Sequence, residues 1–354
     1  MGKESEAIIF YDVDGTLAEP FMAPPHNLLK AIKSLDRAGI KQVLCSGKNK
    51  EYLSGLARVL GLSATSDIIA ENGGVIFDWK KQNMHKVNRK SSKIAALKPK
   101  ISKILKNYQY YEEPKDTIAT YFIKDLSKLE EVTKQIKEVV APYSLDVKYY
   151  KDGAIDILND HIHKGLAVDY YLKNINPTEK VYTCGDANND LEMLTIGTPI
   201  TFQGATPEVI KLVKERNGHV ADKIGPDGLL QAISELVFNK HLDAINHMDF
   251  VYRDWGSWEV LSTGKDFKVK KMVVNPGSKL SLQKHQFRSE HWFVFEGRAQ
   301  IALNGKDVEL STGEDYYIPR GGIHCVANAG ESELIIIEVQ RGSYLGEDDI
   351  IRFK

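Results

Sequence analysis

Two aspartates two residues apart, Asp12 and Asp14, follow the short apolar run Ile8 to Tyr11 and precede a Gly15-Thr16 turn. Like charges that close repel unless a cation or proton intervenes, so a divalent metal is the economical explanation. Alone, the pair reads as a loop with an Asx turn before Gly15. Three further groups change that reading. Cys45-Ser46-Gly47-Lys48 places a small hydroxyl and a glycine before a helix, where backbone N–H groups and the positive helix end favour an anion. Lys164-Gly165 opens another helix, and Asp186 and Asp190 lie four apart on a loop after strand-like Lys180 to Thr183. Together these are the parts for phosphoryl transfer. Asp12 can attack phosphorus, and Asp14 can shuttle a proton as general acid and then base. Mg²⁺ would sit between Asp12, Asp186 and Asp190, with Asp14 beside them, while Ser46 and Lys164 hold the transferring oxygens.

A second set lies far downstream. Gln283 and His285 share one face of a strand by period two, and Glu290 and His324 can join them inside a small barrel. Two nitrogens and two oxygens suit a divalent ion; imidazole with carboxylate suits Zn²⁺, and Mn²⁺, Fe²⁺ or Co²⁺ are alternatives. For any single histidine a hydrogen-bonded core role is the better reading. Two clusters with regular glycine spacing, Gly277 to Gly297 and Gly313 to Asn328, reverse it.

The elements that must position these residues fall into three stretches. Up to about residue 79, apolar strands (Ile8 to Tyr11, Ile40 to Leu44) alternate with helices (Asn27 to Ala38, Glu51 to Leu60), the pattern of a doubly wound parallel sheet. Such sheets bind ligands at the carboxyl ends of their strands, where Asp12, Ser46 and Asp186 fall. From about Lys80 to His163 the rhythm changes to a separate α/β lobe, with a lysine-rich helix over Ser91 to Lys106 that reads as a solvated face. Strand and helix alternation then resumes, and a short helix is expected over Leu191 to Leu194. After a polar tract near residues 238–251 the pattern becomes all-β, with short alternating strands and glycine turns. We therefore expect two domains, 1–238 with an inserted lobe and 239–354. A chain of 354 residues is long enough for both.

A formal net charge of −1 gives no argument for nucleic acid or an anionic membrane surface. No apolar run approaches the ~20 residues of a bilayer span, and no charged segment leads into a long apolar one at the start. Three scattered cysteines, Cys45, Cys184 and Cys325, read as reduced thiols, so a cytoplasmic location is expected.

The order D-x-D-G-T, S-G-K, E-N-G-G, K-G and G-D-x-x-x-D resembles the haloacid dehalogenase superfamily, in particular its large-cap, Cof-like phosphosugar phosphatases. The resemblance covers roughly residues 7–238. It implies a Rossmann-like core, an aspartyl-phosphate on Asp12, acid/base action by Asp14, and a substrate-selecting cap in the inserted lobe. Gly47, Lys48 and Asn72 would be substrate-side contacts. Eukaryotic-type phosphomannomutases share the D-V-D-G-T-L start, but their caps use a set of arginines. Here Arg89 is the only arginine between Lys80 and His163, which favours a phosphatase over a mutase.

The downstream clusters match the two cupin motifs. The string Leu280-Ser281-Leu282-Gln283-Lys284-His285 resembles type II mannose-6-phosphate isomerases, as do Arg253-Asp254-Trp255-Gly256 and Glu338 through Ile350. That resemblance implies interconversion of mannose 6-phosphate and fructose 6-phosphate through an enediolate. Glu338 or Lys270 would be the base, and Arg341 would bind the substrate phosphate. The implied partners are small sugar phosphates, with neither nucleic acid nor membrane, and pairing through cupin strands would give a homodimer.

Overall fold

The computed structural model describes residues 7–353 except Phe21, 63–65, Lys80, 88–90, Lys151, Asp160 and Lys240. Arg89 lies outside the described residues. The chain divides into two compact units, Met1–Pro25 with Gly39–Leu229 and His26–Ala38 with Leu230–Lys354. This differs from a single cut at residue 238, because the helix His26–Arg37 groups with the later residues. Lys30 pairs with Glu259, and Arg37 Nη2 reaches Asp249 Oδ2 at 2.6 Å and the His247 carbonyl at 3.0 Å.

The first unit is built on an eight-stranded sheet. Its order is His219–Ile224, Thr198–Gln203, Lys180–Cys184, Ala7–Tyr11, Lys41–Cys45, Ile68–Ala70, Val75–Asp78 and Asn83–Lys86. The first six strands run parallel, and the last two turn back as an antiparallel edge. Every residue of Ala7–Tyr11 is buried, as expected of a central parallel strand covered on both faces. Its two neighbours in register, Tyr11 with Leu44 and Tyr11 with Cys184, bring three strand tips side by side. That alignment places Asp12, Ser46 and Asp186 at one end of the sheet.

The inserted lobe has its own four-stranded antiparallel sheet, in the order Tyr110–Glu113, Ala119–Ile123, Ala154–Asn159 and Leu145–Tyr149. One face packs on the helices Ser91–Leu105 and Leu129–Val140 through Ile101, Leu105, Val132, Ile136, Tyr121 and Ile155. Period two then leaves Thr120 and Asp156 on the other face. Where a helix was expected over Leu191 to Leu194, two 3₁₀ turns occur, Asn188–Asp190 and Met193–Thr195. The first is shaped by the Asp190 side chain reaching back to the backbone N–H groups of Asp186 and Ala187, both at 3.1 Å.

The second unit carries two antiparallel sheets of six and five strands. Its longest strands show why. In Arg288–Glu296 and Leu334–Gly342, alternate residues are buried, and the inward rows mix Trp292, Val294, Leu334 and Ile336 with Arg288, Glu290, Glu338 and Gln340. Such a run of charged and amide groups inside a barrel needs internal partners. No described helix is long and apolar enough to cross a membrane, and the three cysteines are free thiols.

Candidate functional site

Two buried clusters could hold a metal ion, Asp12 with Asp186 and Asp190, and His285 with Glu290 and His324.

In the first, backbone conformation decides which carboxylates can meet. Gly15 has a φ of +89°, and a Cβ there would stand 2.5 Å from Asp186 Oδ2. A Cβ on Gly185 would likewise fall 2.5 Å from the Asp190 carboxyl carbon. The glycines of D-x-D-G-T and G-D-x-x-x-D are therefore clearances for acids. Lys164, 1% exposed, donates to Asp12 Oδ1 at 2.5 Å and to Asp190 Oδ1 at 2.6 Å. Burial first, and the Asp190 and Asp186 charges next, push the Asp12 carboxyl up to about 8 despite this lysine. Burial likewise pushes Asp186 up to about 6, against a 2.7 Å hydrogen bond from Thr16 Oγ1. An all-oxygen pocket short of positive charge fits a hard cation such as Mg²⁺. Both oxygens of Asp190 already accept hydrogen bonds, so the open positions belong to Asp12 and Asp186.

The remaining residues expected here divide. Asp14 stands apart from the acid trio. Past the end of the strand its carboxylate turns towards Lys48, 3.4 Å from the ammonium nitrogen. Ser46 is buried, and its hydroxyl oxygen accepts from the Lys48 N–H at 3.3 Å. Gly47 lies against the Asn72 amide, where a Cβ would come within 3.1 Å of Oδ1.

Asn72 connects core to cap. It donates to Asp156 Oδ2 at 3.1 Å, while its own Oδ1 is buried without a partner. Asp156 is also held by Thr120 Oγ1, and Lys115 donates to that hydroxyl at 2.7 Å. The neighbouring Glu71 anchors the cap differently. Its carboxylate accepts from the backbone N–H groups of Asp116 and Thr117 at 2.7 Å and from Thr117 Oγ1 at 2.6 Å. Both Glu71 and Asn72 have positive φ, 56° and 54°, a cost of order 1 kcal/mol or more each that these bonds offset. Sequence reasoning missed Asp156, Glu71 and Thr16. The available signal for Asp156 was one acid inside the otherwise apolar strand-like run Ala154 to Leu158.

In the second cluster, His285 Nε2 lies 3.0 Å from Glu290 Oε1, and His324 Nε2 lies 3.5 Å from Oε2. His285 Nδ1 and Nε2 and His324 Nε2 are buried with no aligned hydrogen-bond partner. His324 Nδ1 is 2.9 Å from the Gly322 carbonyl, an outer contact that aims Nε2 inward. Burial lowers the His285 pKa and favours the neutral, ligating imidazole. Although burial opposes it, contacts with His285, His324 and Arg288 hold the Glu290 carboxyl well below its usual range. Gln283 is directly opposite His324 in the five-stranded sheet, so their side chains share a face. Two orphaned imidazoles, an ionised carboxylate and an amide fit a divalent transition metal.

Behind this set, Trp292 Nε1 donates to Glu290 Oε2 at 3.2 Å and Glu338 Oε1 at 3.1 Å, and Gln340 Nε2 reaches Glu338 Oε2 at 3.0 Å. Lys270 pairs with Glu347, and Arg288 donates to Glu290 Oε1 at 3.0 Å. Glu338 and Lys270 line the pocket, as strand parity requires. Arg341 does not. It is exposed, next to inward-facing Gln340, so the same parity puts it on the outer surface. The cations lining the pocket are Arg253, Lys270, Arg288 and Arg352.

Comparison with known proteins follows the same division. The haloacid dehalogenase-like hydrolase family matches residues 9–113 and 85–233, and the mannose-6-phosphate isomerase C-terminal family matches residues 240–354. A haloacid dehalogenase-like hydrolase from Bacteroides thetaiotaomicron shares the fold with a TM-score of 0.55 at 19% identity, over 66% of this chain and all of that one. The Thermoplasma acidophilum 0175 protein gives a TM-score of 0.52 at 19% identity, over 68% of this chain and 100% of that one. Among curated relatives, the mannose-1-phosphate guanylyltransferase ManC of Salmonella typhimurium is 45% identical over 104 residues, 29% of this chain and 22% of that protein. The alginate biosynthesis protein AlgA of Pseudomonas aeruginosa is 42% identical over 135 residues, 38% of this chain and 28% of that protein. The chain thus spans about a quarter of the length of these relatives.

Proposed function

Because the chain belongs to the haloacid dehalogenase-like hydrolases and carries a mannose-6-phosphate isomerase C-terminal domain, we propose that it is a bifunctional sugar-phosphate enzyme. The cupin interconverts fructose 6-phosphate and mannose 6-phosphate, and the first unit hydrolyses a phosphosugar, that same mannose 6-phosphate. The observation that carries this reading is the presence in one chain of two buried, ready-formed ligand sets. One is all carboxylate beside a buried lysine, and the other is imidazole–carboxylate–amide inside a barrel.

In the hydrolase, Asp12 attacks phosphorus, the sugar oxygen leaves with a proton from Asp14, and water then displaces the phosphate from Asp12 with Asp14 as base. Lys164 fixes the Asp12 carboxylate and offsets charge as it builds. Mg²⁺ held by Asp12 and Asp186 would supply the charge neutralisation that an incoming dianion requires. Asn72 and Asp156 supply acceptors from core and cap for sugar hydroxyls.

In the cupin, a proton moves between C1 and C2, and Glu338 or Lys270 is placed in the lumen to carry it. A metal held by Gln283, His285, Glu290 and His324 would polarise the two sugar oxygens. Isomerisation is close to balanced, whereas hydrolysis is strongly downhill, so coupling draws carbon towards free mannose. A phosphatase screen over hexose phosphates, with Asp12→Asn protein as blank, tests the first half. No phosphate release from any of them would sink it. Independence from hexose 1,6-bisphosphate separates a phosphatase from a mutase. An isomerase assay on metal-stripped and restored protein tests the second half, and an inert restored cupin would make it a sensor.

A further inference from the structure

The pocket that opens onto Gln283 and Glu290 holds more positive charge than its own acids can neutralise. Four cations, Arg253, Lys270, Arg288 and Arg352, line it with three carboxylates, Glu290, Glu338 and Glu347. Two of the cations are committed. Lys270 pairs with Glu347 and lies 4.4 Å from the Trp258 ring centroid. Arg288 donates to Glu290 and, at 2.9 Å, to the Gly346 carbonyl.

Arg253 and Arg352 are left facing the cavity. Arg253 Nε is buried with no hydrogen-bond partner, and its guanidinium carbon sits 3.1 Å from the Phe238 ring centroid. Burial and then the Arg352 charge pull Arg253 down to about 10, and burial lowers Arg352 as well. Arg253, half-buried, and Arg352, exposed at the rim, line the same pocket, and like charges sharing a cleft repel unless an anion joins them. Position adds direction. Arg352 is in register with Gln283 on the adjoining strand, so the two side chains share a face.

We propose that Arg253 and Arg352 form the subsite for the phosphate of a phosphomonoester, seated so that its carbon chain runs past Gln283 towards the Glu290–histidine set. Two planar forks can each give paired N–H donors to phosphate oxygens, and a dianion cancels the repulsion between them. The subsite takes from the isomerase reading only the identity of the substrate's other end.

The test uses the full-length Asp12→Asn chain, which cannot hydrolyse the probe. Arginines are labelled with phenylglyoxal and read by peptide mass spectrometry, with mannitol 6-phosphate, which has no carbonyl to isomerise, as protecting ligand and mannitol as control. Labelling of Arg253 and Arg352 should slow at least fivefold with the phosphate ester and be unchanged by mannitol. No protection of either arginine overturns the subsite, whether or not the protein isomerises sugars. Protection in a protein without isomerase activity upholds the subsite and removes the isomerase reading. In active protein, Arg253→Gln and Arg352→Gln should raise KM for fructose 6-phosphate roughly tenfold to a hundredfold, with kcat changed far less. An unchanged KM in both folded variants also overturns it.

Discussion

Lys164 Nζ lies 2.5 Å from Asp12 Oδ1, a contact between residues 152 positions apart that joins the two halves of a split core. The same ammonium reaches Asp190 at 2.6 Å, so one buried cation holds two buried acids. Lys164→Met leaves those acids facing each other. Breaking a buried pair this way costs about 3–5 kcal/mol, and loss of a charge stabiliser at phosphorus costs about a hundredfold or more in kcat. We expect a lower melting temperature in chelator that Mg²⁺ partly restores, with hydrolysis still suppressed. Wild-type hydrolysis in this variant would remove Lys164 from the mechanism.

Gly185→Ala is a steric test of the acid cluster. The added Cβ would stand 2.5 Å from the Asp190 carboxyl carbon, and the φ of Gly185 is not in the left-handed region, so backbone strain does not confuse the result. Asp190 must give way, and with it the hydrogen bonds that shape the Asp186 loop. Phosphatase activity should fall at least about tenfold while the isomerase is unchanged. Equal loss of both activities would point to misfolding instead.

Asp156 and Asn72 should read the sugar and not the phosphate. Asn72 Oδ1 is an unmet acceptor, and Asn72 Nδ2 donates to Asp156 Oδ2 on the cap sheet. Asp156→Asn should raise KM for hexose phosphates roughly tenfold, yet leave hydrolysis of p-nitrophenyl phosphate within about twofold. If both substrates suffer equally, Asp156 serves cap docking alone.

The positions of Asp12, Ser46 and Asp186 were legible because each follows a strand tip, where an apolar run stops at a polar or glycine residue. Ala7–Tyr11 is buried throughout, and its continuous apolar sequence says as much. Side-chain partners beyond the strand were less legible. The Lys48 ammonium beside the Asp14 carboxylate, at 3.4 Å, comes from the tip of a neighbouring strand, and no spacing in the sequence announces it. Arg341 was misplaced although the information was present, since alternation that turns Glu338 and Gln340 inward must turn Arg341 outward. Asp156 was hidden for a different reason. All six residues of Ala154–Asn159 are buried, one face on the cap helices and the other at the site, so no polar face marks it. Arg253 and Arg352 come from distant segments, and only the closed barrel brings them to one cavity.

Metal should stabilise the cupin as well as switch it on. The imidazole atoms left without partners in the barrel gain ligation only when an ion is present. Binding to the folded state alone adds about 2.7 kcal/mol at a hundredfold excess over Kd. Chelation should therefore abolish isomerase activity and lower the cupin melting transition, and Zn²⁺, Mn²⁺ or Co²⁺ should restore both. His285→Ala and His324→Ala should lose the metal-dependent melting shift. A shift that survives in both variants would place the ion elsewhere.

Glu347 gives the second unit a defined acid limit. Burial alone would raise its pKa, but Lys270 and Arg288 outweigh it and hold the carboxyl down at about 2. A carboxyl depressed in the folded state contributes stability that is complete above its unfolded value, near 4.5, and is lost as pH falls towards 2. The depression corresponds to something on the order of 3 kcal/mol. Glu347→Gln removes the titration and leaves Lys270 without its partner. The variant should be less stable than the parent at pH 7, and the gap should narrow steadily between pH 4.5 and 2, read from denaturant melts of the cupin transition. A gap that stays constant across that window would mean that the charge of Glu347 contributes nothing to folding.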